Sequence, residues 1–373
     1  MQISHKNREN SSLSAKTSPT RLIILPQMII IAMMKRIIKA FPAFLAMVVL
    51  SLSFASCAPD RGYSQLTGYA QGGTYSVKLN LKGVKAPLEE IQAGVDSILT
   101  LIDTTLSGYN KGSQLSRLNS GVSVEPNALF REMFSLSRKF YEETGGALDV
   151  AAAPLFDIWG FGFTSEKLPS AQMVDSVLSV CGMDTIGENM EPLIPGIRPR
   201  LNFNAIAQGF TSDKIAGYLH SLGVKDMLVD IGEIYCEGLN HKGLPWSIGI
   251  DRPVDGNMTP GADLDGIWRG DGRGCGVVTS GNYRKYYEKD GRKYSHTIDP
   301  RTGYPVNHNL LSATIVAPDA VTADAYATYC MVIGLEAARD FINTKSDVEG
   351  YLIYDDGGNM TEWASSGFKL AGN

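Results

Sequence analysis

The stretch KYSHTIDPRTGYP, residues 293 to 305, sets an imidazole, a carboxylate and a guanidinium close together around two prolines. Asp299, Pro300 and Gly303 read as turn chemistry: Asp satisfies its own backbone, Pro presets φ and Gly accepts a positive φ. None of this requires His296. Its ordinary pKa of about 6.5 suits general acid–base work near neutral pH. It is expected on a short strand, with the turn fixing its direction. Arg301 has two candidate partners, a phosphate and Asp299, and pairing with Asp299 is preferred. Farther on, TADAYATY spaces Asp324 and Thr328 four residues apart, on one face of a helix. A carboxylate and a hydroxyl are hard oxygen donors that suit Mg²⁺, whose shell is completed by water and substrate phosphate. The same pair also fits an aspartate favoured by the helix dipole and a threonine bonded back to its own turn.

Three other segments carry polar or small residues beyond what a core needs. In LSGYNKGSQLSRLN, residues 106 to 119, Tyr109 lies in a glycine-bounded loop, either as a ligand contact or half-buried beside a helix cap. In TGGALDVAAAPLFDIWGFG, residues 144 to 162, Asp149 interrupts an apolar run and needs a partner if buried. Its Trp159-Gly160-Phe161-Gly162 run suits a flat aromatic ligand and equally a glycine–aromatic corner of the core. In LNFNAIAQGFTSDKIAGYL, residues 201 to 219, a strand end is expected to turn into a helix around Ala205. Small residues there let backbone approach a ligand, and a helix N-terminus favours phosphate oxygens. Thr279, Ser280 and Gly281 are expected at a neighbouring strand end.

The elements that position these residues follow from periodicity. Helical spacing of apolar residues covers 88 to 107, 129 to 144 and 171 to 181, and the run from 322 to 342 reads as one long helix. Alternation and turn residues mark strands in YAQGGTYSVKLNL, DMLVDIGEIYCEG, WSIGIDRP, the region from 274 to 300 and LSATIVAP. A closing hairpin turns at Asp356-Gly357-Gly358. Strands predominate in the second half and helices group rather than alternate with them, so the fold class is α+β, largely antiparallel sheet with packed helices. No phosphate-binding P-loop, dinucleotide fingerprint or nucleophile elbow occurs; the glycines at 270, 272, 274 and 276 have the wrong spacing.

The N-terminal segment reads as a targeting element. Lys35, Arg36 and Lys39 precede an apolar run from Ala40 to Leu52 and then Phe54-Ala55-Ser56-Cys57. Residues 1 to 56 are thus a signal peptide, with a start at Met34 as one option, and residues 57 to 64 a tether. Cys57 would be the lipidated first residue of an anchored, exported lipoprotein on the periplasmic side of a bacterial membrane. An uncleaved transmembrane helix is the competing reading. The domain then runs from 65 to 373. The first 56 residues hold seven of the 34 Lys and Arg and one of the 39 Asp and Glu, leaving 27 against 38, or −11. An acidic chain argues against a nucleic-acid partner. Cys181, Cys236, Cys275 and Cys330 are widely spaced and indicate neither a zinc site nor a disulfide framework. They read as small buried apolar side chains, in a compartment that permits a bridge.

In this order, GALDV with PLFDIWGFG, NAIAQGF, LVDIGE, TSGNYRKYYEKDGRKYSHTIDPRTG and TADAYAT resemble the ApbE-like flavin transferases, the FAD:protein FMN transferases. The resemblance implies an α+β fold and use of FAD as substrate with Mg²⁺. It implies transfer of the FMN half of FAD to a threonine hydroxyl of an exported acceptor, typically a subunit of a membrane redox complex, with release of AMP. It carries the metal onto Asp324, Thr328 and the carbonyl of Ala205. It carries FAD contacts onto Gly72, Tyr109, Ala147, Leu148, Asp149, Asn202, Gln208 and His296. Gly72 stands where the family commonly has methionine, Asn202 and Gln208 where it has aspartate and lysine, and Gly232-Glu233 where it has two glycines. His296 is the candidate proton acceptor or a flavin or phosphate contact. An FAD pyrophosphatase and a non-catalytic FAD-binding lipoprotein are the alternatives.

Overall fold

The computed structural model describes residues 62–163, 168–257, 259–283, 286–289 and 292–371. The expected signal peptide, Met34, Cys57 and most of the tether lie outside the described residues. Tyr63 and Ser64, expected in the tether, instead open the first strand, where they pair with Asn80 and Leu79. Among the described residues no helix is long and apolar enough to cross a membrane.

Alternating side chains build a sheet with both faces covered. In β3 (Met227–Asp230), Met227 and Val229 enter one core and Leu228 the core on the other side. In β13 (Glu349–Asp356), Leu352 and its neighbours Tyr351 and Ile353 divide in the same way. These strands belong to an eight-stranded sheet in which every neighbouring pair is antiparallel. Its order is β1 (Tyr63–Ala70), β2 (Gly73–Asn80), β3, β4 (Ile234–Glu237), β7 (Cys275–Gly281), β12 (Leu310–Ala317), β13, β14 (Asn359–Ala364). Three two-stranded ladders complete the strands: β5 (Ser247–Asp251) with β6 (Leu264–Arg269), β8 (Tyr286–Lys289) with β9 (Arg292–Ser295), and β10 (Ile298–Asp299) with β11 (Tyr304–Pro305).

Helices cover one face. Helix α1 (Leu88–Leu106) and α6 (Ala207–Ser221) close one core over β1 to β3, through Ile91, Val95, Ile215 and Leu219. Helices α3 (Ala128–Glu143), α7 (Ala320–Ile333) and α8 (Leu335–Thr344) close a second over β12 and β13. The shorter α2 (Gln114–Asn119), α4 (Ala153–Ile158) and α5 (Ala171–Leu178) sit in the connections. The opposite face packs against Trp246, Ile248, Ile250 and Trp268 of the β5–β6 region.

Two expectations are corrected. The single long helix over 322 to 342 is two, because Gly334 takes φ 79° and ends α7 before α8 begins. A side chain there would be strained by that φ and would also meet His308. Residues Leu201 to Phe203 form no strand; Asn202 N–H instead donates to the Val150 carbonyl at 2.8 Å. The closing hairpin is as expected, with Gly357 and Gly358 both at positive φ.

Helix α7 lies against β7 with no room to spare. A Cβ on Gly276 would stand 2.4 Å from Ala320 Cα and 2.4 Å from the Asp319 carbonyl oxygen, and backbone cannot yield as a side chain can. Gly276→Ala should therefore lose about 2 kcal/mol or more of stability. Gly217 in α6 has nothing within 4 Å of its Cβ position, so Gly217→Ala should gain about 0.5–1 kcal/mol. Urea denaturation of the two variants checks both signs.

Candidate functional site

Helices α6 and α7 meet at their N-terminal ends and exchange carboxylates. Asp213 of α6 accepts from the first two N–H groups of α7, those of Ala320 and Val321, each at 2.8 Å. Asp324 of α7 accepts from Gly209 N–H in the first turn of α6 at 3.0 Å. Gly209 permits the approach, since a Cβ there would stand 2.3 Å from the Ala320 carbonyl oxygen. Asp324 is buried and Asp213 half-buried. Burial pushes Asp213 up to about 7, against the lowering effect of its two N–H donors. Burial, with the nearby Asp213 adding to it, pushes Asp324 up to about 8 against the lowering effect of Gly209 N–H.

Two of the expected metal ligands, Asp324 and Thr328, share helix α7. Thr328 lies one turn beyond Asp324 on α7, and its Oγ1 is 3.5 Å from Ser280 Oγ at the end of β7. Ala205 lies in the turn that enters α6, two residues before its first helical position. Among the described residues no cluster of three or more His, Cys, Asp or Glu could hold a metal. The expected donors are of another kind: one carboxylate, one hydroxyl and one backbone carbonyl.

Two hairpin turns close on the same helix end. Gln208 donates its side-chain amide to the Ile231 carbonyl at 3.0 Å, and Ser212 Oγ donates to the Glu233 carbonyl at 2.6 Å. The β3–β4 turn thus wraps α6, and Gly232, at φ 105°, leaves space that Gln208 fills. Gly72 lies in the exposed β1–β2 turn, where it and Gln71 both have positive φ. It is Gln71 that reaches inward, donating to Thr211 Oγ1 of α6 at 2.5 Å. In sequence, the one signal for Gln71 is a polar residue directly before a hairpin glycine.

A second group of predicted residues adjoins the α6 entry. Asn202 Oδ1 accepts from Asn204 N–H at 2.9 Å, and Asn204 Nδ2 lies 3.5 Å from the Tyr109 hydroxyl. Tyr109 is 69% exposed and meets Phe163 edge-on at 5.2 Å between ring centres. Ala147, Leu148 and Asp149 are buried. The Asp149 carboxylate accepts from Ala151 N–H at 2.7 Å and Met183 N–H at 3.0 Å, the partners its burial required. A cavity of about 240 Å³ opens beside it, bounded by Tyr141, Gly146, Cys181, Asp184 and Arg301.

The glycine–aromatic run forms a ladder of rings. Phe161 stacks on Tyr287 at 5.1 Å, Tyr287 on Tyr294 at 5.3 Å, and Trp159 lies 5.9 Å from Tyr294. The edge of the ladder is His296, 6.4 Å from Phe161. Asp157 anchors the loop: Phe163 N–H donates to Oδ1 at 2.8 Å, and the Arg200 guanidinium lies 2.6 Å from Oδ2. That pair ties the aromatic run to the start of the 201–206 segment.

His296 is not on a strand, as expected, but in the bend between β9 and β10. Its neighbours hold it. Ser295 Oγ and Thr297 Oγ1 both donate to Asn282 Oδ1, at 2.6 and 2.7 Å. Asn282 directly follows β7, so the end of that strand fixes the imidazole's backbone. The turn after it is anchored too. Gly303 N–H donates to the Asp299 carbonyl at 2.8 Å, and Trp159 Nε1 donates to the Gly303 carbonyl at 2.8 Å. Arg301 pairs with Asp299 through two bonds of 2.9 Å, the structural partner preferred from sequence.

Comparison with known proteins gives this arrangement a context. The model of the ApbE family matches residues 72–352. The FAD:protein FMN transferase of Haemophilus influenzae is 32% identical over 349 residues, covering 90% of this chain and 98% of that protein. Its counterpart from Escherichia coli K12 is 30% identical over 342 residues, covering 87% and 95%. Among solved structures, the flavin transferase ApbE from Vibrio cholerae superposes with a TM-score of 0.71 at 30% identity, over 82% of this chain and 97% of its own.

Asp149 offers a test of the site's electrostatics. Burial pushes its carboxyl up to about 6 despite two N–H donors, above the unfolded value of about 3.9. The folded state therefore holds the proton more tightly, so the contribution is whole below about pH 4 and is lost as pH rises through about 6. Between pH 4 and 7 the wild type should lose about 2 kcal/mol more stability than Asp149→Asn does over the same range. Urea denaturation of both proteins across that range measures the difference.

Proposed function

This chain belongs to the ApbE family, and from that premise we propose that its site uses Mg²⁺ and directs flavin transfer to a threonine. The protein is an FAD:protein FMN transferase, moving the FMN moiety of FAD onto an acceptor protein. The 3.0 Å bond from Gly209 N–H to Asp324 carries the finer reading, because it joins the NAIAQGF and TADAYAT segments in one site.

The residues fit a hard divalent cation. Asp324 is a buried carboxylate raised to about 8 by burial and by Asp213, and a neighbouring cation relieves that cost. Asp324, Thr328 and the Ala205 carbonyl would hold Mg²⁺, all through oxygen. When bound, the ion supplies Lewis-acid shielding of the diphosphate charge.

The remaining work falls to the chain's own groups. The N-terminal end of α6 would present substrate with a positive dipole, which favours phosphate oxygens. The ring ladder around Phe161 and Tyr287, with Tyr109 at the 201–206 turn, offers faces and edges for an isoalloxazine. The acceptor threonine oxygen attacks the phosphorus on the riboflavin side. The bond to the AMP phosphate breaks, and AMP leaves. The hydroxyl proton goes to His296, positioned through Asn282. Phosphothreonyl-linked FMN remains on the acceptor. We place the acceptor on the exported side of the membrane, as a subunit of a redox complex, with this domain tethered through lipidated Cys57.

Asp324→Asn separates the carboxylate's two roles, since the amide oxygen still accepts from Gly209 while the charge is gone. With FAD, Mg²⁺ and acceptor, the variant should fold but label acceptor about a hundredfold or more slowly, and chelation should silence the wild type. Acceptor mass and flavin fluorescence provide the readout. Labelling at the wild-type rate would remove the metal assignment. Free FMN and AMP without labelled acceptor would favour the pyrophosphatase, and intact bound FAD the storage lipoprotein.

A further inference from the structure

Cys236 and Cys275 face each other where the two halves of the main sheet join. They are direct partners in the antiparallel β4–β7 ladder, with Sγ atoms 4.0 Å apart. Cys236 is buried and Cys275 half-buried. We propose that these two thiols form a redox-responsive pair that closes to a disulfide, stapling β4 to β7.

The geometry admits the bond. Directly opposed antiparallel residues have Cα atoms about 4.5 or 5.5 Å apart, within the range of about 4.4–6.8 Å that a disulfide spans. The other two described cysteines are elsewhere: Cys330 is a residue of α7 buried in the core, and Cys181 lies against the small cluster around Trp159. Neither competes for the pairing. Spacing along the chain hid the pair, because 38 residues separate its members.

The position gives the bond a role. β4 ends one residue after Cys236 and β7 begins at Cys275, while the intervening chain leaves the sheet to build the β5–β6 hairpin. A disulfide would close that excursion at its neck. It would also hold the register of β7, whose opposite end carries Ser280 and leads into Asn282.

Closure proceeds by thiol–disulfide exchange with a small disulfide or a disulfide oxidoreductase. The contact with Cys275 and, after it, burial hold the Cys236 thiol well above its ordinary range, so the half-buried Cys275 meets the oxidant first. Its thiolate attacks one oxidant sulfur and expels the other as thiolate. Cys236 then attacks Cys275 Sγ and releases the oxidant's remaining sulfur. The protein loses two thiol protons and two electrons, and the oxidant disulfide becomes two thiols.

The test uses the full chain equilibrated in glutathione buffers from reducing to oxidising, unfolded into an alkylating agent and read by peptide mass. In oxidising buffer Cys236 and Cys275 should escape alkylation together, while Cys181 and Cys330 are modified throughout. The oxidised protein should melt at least about 5 °C above the reduced one. Cys236→Ala should abolish that dependence on buffer. Full alkylation of both cysteines in every buffer would overturn the proposal, as would a missing pair that maps elsewhere or a disulfide between two chains.

Discussion

The exchange of carboxylates between α6 and α7 is the constraint on which the rest of the site depends. Each helix starts with N–H groups that its own turn cannot satisfy, and each is capped by an aspartate of the other. Caps of this kind are worth about 1 kcal/mol each. Their larger effect is geometric: a reciprocal pair fixes both the distance and the rotation between two helices. Gly209 and Gly276 allow it, one by letting α6 reach Ala320 and the other by letting α7 settle on β7. Once α7 is seated, Asp324 meets the first turn of α6 through Gly209, and Ser280 lies beside Thr328 one turn farther on.

The same exchange creates an electrostatic imbalance. Asp324 is a buried carboxylate raised further by the half-buried Asp213 beside it, in a chain whose acids outnumber its bases. Structure alone would favour amides at these positions, which cap helices without the cost of charge. Asp213 spends both oxygens on α7, so its role is mainly architectural. Asp324 gives one oxygen to Gly209, and its charge is better explained by what the site must bind. A diphosphate substrate would meet repulsion here unless a cation stood between, which is why the proposed metal and the helix N-terminus belong to the same argument.

What the sequence disclosed was local. The four-residue spacing of Asp324 and Thr328, the turn after His296 and the Gly357-Gly358 hairpin each depend on neighbours along the chain, and each appears where periodicity and turn chemistry put it. The errors were also local in origin. Gly334 lay within an apolar run that continued past it, and periodicity does not register a single positive φ. The residues passed over act across long separations. Asp213 reaches a helix 107 residues away, and Gln71 reaches Thr211 across 140. Arg200 meets Asp157 in a pairing that composition does not single out among many acids and bases. Such partners emerge only once the sheet order has been set.

Strand β7 shows how that order becomes function. It lies between β4 and β12 in the sheet, though β4 precedes it by a long excursion and β12 follows a stretch of short ladders. Its last residues look in two directions: Ser280 toward Thr328 on α7, and Asn282 toward the residues flanking His296. A shift of one position along β7 would turn each side chain to the opposite face, so register controls the metal side and the imidazole side together. Thr279 reinforces it, with Oγ1 2.8 Å from Thr314 Oγ1 on β12. The proposed proton acceptor is therefore tied to the same strand as Ser280, beside the proposed metal ligand Thr328, although His296 itself sits in a bend. A loop residue held in this way can be placed as accurately as a strand residue, which is what the proposed proton transfer at an incoming hydroxyl demands.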